Sequence, residues 1–282
     1  MTSNAIKIVA LILMLIDHIG VFIPNSPIWF RWVGRLSAPL FLFCLIQSVF
    51  HTKNQYKLAQ RLYIASIGMG VINCMIPITN NIFRTFLILV IIIIIIEKTK
   101  NDTNKRLYYL AAFVLWQIFA VAVGWALVTI IPVNLEALIL PLLISAGWLE
   151  GAFLVILGVG MYVYKENKKY FVVWYLLFCM MFLINSQFGV LPRMISFAGR
   201  HSMLLLEVIL GIIANLLGVT IFMEEAGIEQ LFNNYQWMMI FALFIMLLYN
   251  GQKGAKLKYF FYVFYPIHIL ILWYLGNYIL TH

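Results

Sequence analysis

Apolar positions in this chain come in runs far longer than the alternating stripes of a soluble helix, and the runs recur from one terminus to the other. A helix needs roughly 20 apolar residues to cross about 30 Å of hydrocarbon. By that measure the pattern predicts spans at 5–23, 38–51, 62–78, 83–97, 107–131, a broken stretch at 135–164, then 170–188, 203–223, 235–249 and 259–280, about ten crossings. The polar stretches between them are too short to hold a soluble domain. The expected fold is therefore all-α, a polytopic integral membrane helical bundle forming a single transmembrane domain over residues 1–282.

At least one segment is expected to be broken or re-entrant. The 135–164 stretch is too long for one straight helix, and Pro141 and the run Gly147-Trp148-Leu149-Glu150-Gly151 interrupt it. Non-helical backbone at membrane depth is tolerated only where it faces protein or a polar cavity. Glu150 is thus either a cavity residue or a loop-end glutamate at the interface. Charge gives the orientation. The loops His51–Arg61, Lys98–Arg106 and Lys165–Lys169 are basic, which places them and the N-terminus on the cytoplasmic side. The alternation then fails, because three further crossings would put Lys253, Lys256 and Lys258 outside. A partly re-entrant stretch at 189–223 restores it.

Composition agrees with this class: 64% of residues are hydrophobic and 10% charged, where a soluble domain carries about 25% charged residues. The net charge of +9 is scattered through short loops, as positive-inside topology and anionic lipid headgroups require, and no nucleic-acid partner is expected. Cys44, Cys74 and Cys179 all fall within spans, which favours packing thiols over a disulfide framework or a metal site. Lys7 ahead of an apolar run resembles the start of a signal peptide. Asp17 and His18 interrupt that run and no small-residue cleavage pattern comes after it, so the segment is expected to remain as the first helix.

That interruption is the strongest chemical signal. Ionisable residues inside the bilayer are costly and mark function by default. A neutral imidazole is a good general base near neutral pH, and a carboxylate can fix its tautomer and stabilise the imidazolium. Adjacent helical residues lie about 100° apart, however, so Asp17 could instead pair with Arg31, Arg35 or Arg84 and lock the bundle. Arginine forks suit phosphate or carboxylate, and Arg31, Arg35, Arg84, Arg193 and Arg200 lie in linkers or at span starts, where lipid headgroups compete for them. Gly34-Arg35-Leu36-Ser37 is echoed by Gly199-Arg200-His201-Ser202, each ahead of an apolar run. Near the C-terminus, Tyr249-Asn250-Gly251 ends one run, and Pro266 and His268 mark a proline-interrupted helix suited to a polar cavity. The chain contains no P-loop, zinc-protease, nucleophile-elbow or dinucleotide motif.

The segments IKIVALILMLIDHIGVFI, FRWVGRLSAPLFLFCLIQSVFHT and LLYNGQKGAKLKYFFYVFYPIHILIL, with NNIFRTF around Arg84 as a fainter echo, resemble the TraX family, whose name-giving member N-acetylates conjugative pilin. The family is similar to the wider group of transmembrane acyltransferases that pass an acyl group from cytosolic acyl-CoA to an acceptor across the membrane. The resemblance implies an acetyl-CoA-dependent acyltransferase of the bacterial inner or plasma membrane, with His18 catalytic as general base or acyl carrier and Asp17 orienting or charge-compensating it. Gly34, Arg35 and Pro39 fall on a GR-x-x-x-P motif, and Tyr265, Pro266 and His268 on YP-x-H. Arg31, Arg35, Arg84, Asn250, Lys253 and His268 are the residues expected to line the site or hold the donor, and no metal is expected. The acceptor is an amine or hydroxyl on a protein or peptide N-terminus, a sugar or a lipid. Two readings compete with this one: a proton-coupled secondary transporter using Asp17 and His18 as a relay, and a non-enzymatic assembly factor for a surface polymer.

Overall fold

A computed structural model describes the chain except residues 53, 77–80, 129–135, 146–151, 217–227, 255–257 and 280–282. Every regular element among the described residues is helical. In chain order they are α1 (Ser3–Phe22), α2 (Trp29–Gly34), α3 (Ser37–Phe50), α4 (Gln55–Met75), α5 (Ile82–Lys98), α6 (Thr103–Val128), α7 (Glu136–Leu142), α8 (Ala152–Val163), α9 (Lys168–Phe188), α10 (Val190–Arg200), α11 (Leu204–Leu216), α12 (Ile228–Asn233), α13 (Ala242–Leu247) and α14 (Lys258–Tyr274). A 3₁₀ helix, Tyr235–Phe241, precedes α13, and a π-helical turn, Leu275–Ile279, continues α14. Among the described residues, helix occupies part of every predicted span. Five stretches are long and apolar enough to cross a membrane: Ser3–Phe22, Trp29–Phe50, Thr103–Gly124, Lys168–Phe188 and Tyr259–Tyr278. The apolar helices Ala152–Val163, Leu204–Ala214 and Tyr235–Leu247 are shorter.

Polar side chains fix where the helices begin. Thr2 Oγ1 accepts from the Ala5 N–H at 3.3 Å, Asn54 Oδ1 from Lys57 N–H at 3.0 Å, Asp102 Oδ1 from Lys105 N–H at 3.0 Å, and Asn167 Oδ1 from the N–H groups of Lys169 and Tyr170 at 3.1 and 3.3 Å. Each satisfies a donor that the first helical turn leaves over. The 135–164 stretch is divided as expected, with α7 closed by Ile144 in the left-handed region (φ 53°). Ser145 N–H then donates to the Leu140 carbonyl at 2.9 Å, the bond that ends a helix at a left-handed residue. The Gly147 to Gly151 interruption, Glu150 with it, lies outside the described residues.

Between 189 and 216 the backbone makes two short helices rather than one. Gly189 in the left-handed region (φ 54°) separates α9 from α10, and Ser202 (φ 55°) separates α10 from α11. The echo of Gly34 to Ser37 in Gly199 to Ser202 is consequently not an echo in structure. Ser37 opens α3 after a tight turn in which Arg35 and Leu36 donate to the Trp32 and Val33 carbonyls, whereas Ser202 is a left-handed stop.

The described chain divides into two compact units, each assembled from separate pieces of sequence. One comprises Ser48–Tyr162 and Leu216–Gly218. In it α4 packs against α5 and α7. A Cβ on Gly70 would stand 2.8 Å from the Ala137 carbonyl oxygen, so only a residue without one lets α4 and α7 come this close. Asn81 works twice: its Oδ1 accepts from the Arg84 N–H at 3.3 Å, capping α5, and its Nδ2 donates to the Ser66 carbonyl at 2.9 Å, tying α5 to the middle of α4.

The other unit comprises Met1–Gln47, Val163–Asn215 and Val219–His282. Here α1 packs against α2 and α14, and α9 packs against the 3₁₀ helix. Tyr175, fully buried, donates its hydroxyl to the Met239 carbonyl at 2.6 Å. The start of α1 is bound by the segment 248–254. Ser3 and Asn4 N–H donate to the Gln252 and Lys253 carbonyls at 2.8 and 3.1 Å, Asn250 N–H donates to the Met1 carbonyl at 3.0 Å, and the terminal amine reaches the Leu248 carbonyl. Gly251 and Gly254 both stand at φ 79°, and a Cβ on Gly254 would lie 2.7 Å from Thr2 Oγ1. At the far end of α1, a Cβ on Gly276 would overlap the Phe22 carbonyl oxygen.

Asn81→Ala removes a helix cap and a buried hydrogen bond together, with Asn81 only 5% exposed. The expected cost is about 1–3 kcal/mol, read as a lower unfolding midpoint of the purified protein in detergent. An unchanged midpoint would show that this end of α5 is held by other contacts.

Candidate active site

Asp17 and His18 are neighbours on α1, and the 100° step between adjacent helical residues sends them to different partners. Asp17 meets α2. Arg31 Nη1 donates to Asp17 Oδ1 at 2.9 Å and to the Asp17 carbonyl at 3.2 Å, and Arg35 Nη2 donates to Oδ1 and Oδ2 at 3.0 and 3.2 Å. Arg31 and Arg35, four residues apart, share one face of a helical turn, which is why both reach a single carboxylate. The Asp17 side chain is 14% exposed and each arginine 21%. A Cβ on Gly34 would overlap the Asp17 carboxylate, so the glycine of the GR-x-x-x-P motif is a steric requirement of the ion pair.

The 3₁₀ helix closes over the arginines. Tyr235 Oη accepts from Arg31 Nε at 3.4 Å, and its ring lies 5.2 Å from the Arg35 guanidinium. Gln236 Oε1 accepts from Arg35 Nη1 at 3.4 Å, and Arg35 Nε donates to the Arg31 carbonyl at 3.3 Å. Two guanidiniums against one carboxylate leave a net positive charge. Arg31 Nη2 makes no hydrogen bond to a described residue.

His18 turns the other way, toward α14. Its Nδ1 lies 2.6 Å from His268 Nε2, while the ring centroids are 4.8 Å apart. The rings therefore meet nitrogen to nitrogen rather than face over face, as a hydrogen bond requires. His268 is 4% exposed, its Nδ1 lies 2.8 Å from the Phe264 carbonyl, and the Phe264 ring stacks on it at 5.0 Å with an interplanar angle of 15°. The Phe22 and Tyr265 rings flank His18 at 6.1 and 6.3 Å. His18 itself is half-buried, and its Nε2 makes no hydrogen bond to a described residue.

The structure thus brings together five of the residues singled out from sequence, Asp17, His18, Arg31, Arg35 and His268, in one unit. It corrects the expected partnership of Asp17 with His18: the carboxylate is taken up by two guanidiniums, and the group that bonds the His18 ring is His268. Asn250 and Lys253 hold the start of α1 through backbone groups, and Asn250 Oδ1 accepts from the Gln252 N–H at 3.1 Å. Arg84 belongs to the other unit, buried in the first turn of α5. Tyr235 and Gln236 were not foreseen. Their signal, a polar NNYQW ahead of an apolar run, is what any span start looks like.

Comparison with known proteins agrees with the resemblance in the end segments and extends it through the middle. A family profile described as TraX protein matches residues 2–276. A protein of Dichelobacter nodosus named probable fimbrial assembly protein FimC, serogroup H1, is 27% identical over 283 aligned positions, covering 95% of this chain and 92% of the relative. No solved structure matches.

Asp17→Asn leaves two adjacent guanidiniums without their counter-charge. Losing one partner of a fully buried pair costs about 3–5 kcal/mol, and the 14–21% exposure here brings the expected loss to about 2 kcal/mol. Adding Arg35→Gln to Asp17→Asn should recover part of it, because one like charge is removed. A double-mutant cycle on unfolding midpoints in detergent measures this, and strictly additive losses would contradict the shared carboxylate.

Proposed function

The chain belongs to the TraX family, and we propose that it is a membrane-embedded acetyltransferase that moves an acetyl group from cytosolic acetyl-CoA to an amine, the amino terminus of a fimbrial or pilin subunit. The family supports acyl transfer, and the relative named as a fimbrial assembly protein supports a pilus subunit as acceptor. The five long apolar helices support a multi-pass location in the cell membrane. The observation that carries the chemistry is His18: a half-buried imidazole with one nitrogen engaged by His268 and the other without a hydrogen bond to a described residue, next in sequence to the Asp17 that anchors a net-cationic pair from α2 and the turn after it.

Acyl transfer to an amine needs a group to take the amine proton and positive charge to meet the oxyanion that develops on the thioester carbonyl. His18 accepts that proton on its unengaged nitrogen as the new N–C bond forms, and gives it to the departing thiolate as the thioester C–S bond breaks. Arg31 and Arg35, which follow the first crossing, supply positive charge for the oxyanion that forms on the thioester carbonyl when the amine attacks. Because Asp17 consumes one of their two charges, the pair offers one net positive charge already fixed in place, with Arg31 Nη2 as the open donor. The transporter reading requires protons to pass between Asp17 and His18, and the two side chains face different neighbours.

The test is thiol release from acetyl-CoA by the detergent-purified protein, with a peptide carrying a pilin-type amino terminus as acceptor. Wild type should release thiol in step with peptide acetylation, and His18→Ala should slow it about 10²-fold or more. No release from either protein, together with no rise in melting temperature on adding acetyl-CoA, would overturn acyl transfer and favour the transporter.

A further inference from the structure

The histidine pair carries more than proximity, because one end of it is chemically fixed. The Phe264 carbonyl can only accept, so the 2.8 Å contact with His268 Nδ1 places a proton on Nδ1. A neutral imidazole carries one N–H, so His268 Nε2 presents a lone pair. The 2.6 Å contact between that nitrogen and His18 Nδ1 then requires the proton on His18 Nδ1. His18 Nε2 is left as the bare nitrogen, the one without a hydrogen bond to a described residue.

We infer that His268 is the positioning residue of the site: working from the Phe264 carbonyl through its own ring, it locks His18 in the Nδ1–H tautomer, so that Nε2 is the atom that takes the acceptor's proton. The inference deepens the acyl-transfer reading and rests on it for the reaction, though the tautomer itself does not. When Nε2 takes the proton, His18 becomes an imidazolium whose Nδ1–H already points at the His268 lone pair, so the cation forms with its hydrogen bond in place. When the proton passes to the leaving thiolate, His18 returns to its starting tautomer and the pair resets without exchanging protons with solvent.

Several features keep His268 from turning. It is 4% exposed, Phe264 lies parallel to its ring, and Tyr265 packs at its side with centroids 5.7 Å apart. His18, flanked by the Phe22 and Tyr265 rings, is half-buried where His268 is buried. A fixed ring therefore backs an accessible one. Asp17 cannot take this part, since its oxygens are bonded to Arg31 and Arg35. The charged groups on the neighbouring element, Arg31 and Arg35, belong to that separate cluster.

The proposal is read from ¹⁵N spectra of the full-length protein labelled at its histidine ring nitrogens, in detergent and without any acyl donor. Resonances are assigned by comparing wild type with His18→Gln and His268→Gln. The expected wild-type spectrum shows His18 protonated at Nδ1 and bare at Nε2. His268→Gln, whose amide oxygen can still accept, should keep that tautomer. His268→Leu should redistribute it and lower kcat for acetyl transfer about 10²-fold while leaving the KM for acetyl-CoA unchanged. A wild-type His18 protonated at Nε2, or a His268→Leu spectrum in which the His18 tautomer is unmoved, would overturn the proposal. Should His268→Leu fail to fold, the wild-type spectrum decides alone. Because the spectra need no reaction, the expected tautomer together with absent acetyl transfer would uphold the histidine pair and reject the acyltransferase reading.

Discussion

Everything in the site depends on one carboxylate shared by two guanidiniums. An apolar helix such as α1 cannot carry Asp17 toward the membrane interior unless its charge is met, and Arg31 and Arg35 meet it at 2.9 to 3.2 Å. Because both arginines are committed to a group on α1, the short linker that bears them is folded back against that helix. Gly34 between them permits the approach. This sets the rotation of α1 about its axis, and rotation decides where His18 points: with Asp17 turned to α2, the next residue can only face elsewhere, and α14 stands there with His268. The ion pair is thus a device for aiming the histidine.

A second constraint fixes α1 along its length. The Gln252 and Lys253 carbonyls take the N–H groups that a helix start leaves free, and Gly276 at the far end lies against the Phe22 carbonyl. Both grips come from the C-terminal segment of the chain, which also carries His268. This explains why the segments that first resembled the family lie at the two ends of the sequence. The termini are remote in sequence and build one site, while the stretch between them, α4 to α8, forms a unit of its own.

The helical, membrane-spanning character was legible because long apolar runs suit lipid, although only five of about ten expected spans are long and apolar enough to cross among the described residues. The caps at Asn54, Asn81 and Asn167 went unread, so that α4 begins seven residues before the expected span. Less legible was anything that depends on rotation about a helix axis. Sequence offered Asp17 three arginines, and nothing in the letters chooses Arg31 and Arg35 together over Arg84. The adjacency of Asp17 and His18 suggested a dyad, although one residue of helical twist is enough to part them. The pairing of His18 with His268 spans 250 residues. The Gly-Arg-x-Ser echo misled for a related reason: two matching short strings took different backbone paths, a tight turn into α3 in one case and a left-handed stop at Ser202 in the other.

The choice of a neutral ring behind His18 has a physical rationale. In many acid–base sites a carboxylate orients the imidazole and stabilises its cation. Here the carboxylate beside His18 in sequence, Asp17, is already bonded to Arg31 and Arg35, and a second would have to be stripped of water in an apolar bundle, at a cost that only a further cation could offset. An imidazole provides the same directional lone pair without a charge, and the Phe264 carbonyl, present in any helix, defines which nitrogen carries it. The resulting chain of carbonyl, His268 and His18 holds a tautomer by hydrogen-bond geometry alone. In the acyl-transfer reading proposed above, the proton chemistry belongs to the face of α1 that meets α14 and the positive charge to the face that meets α2.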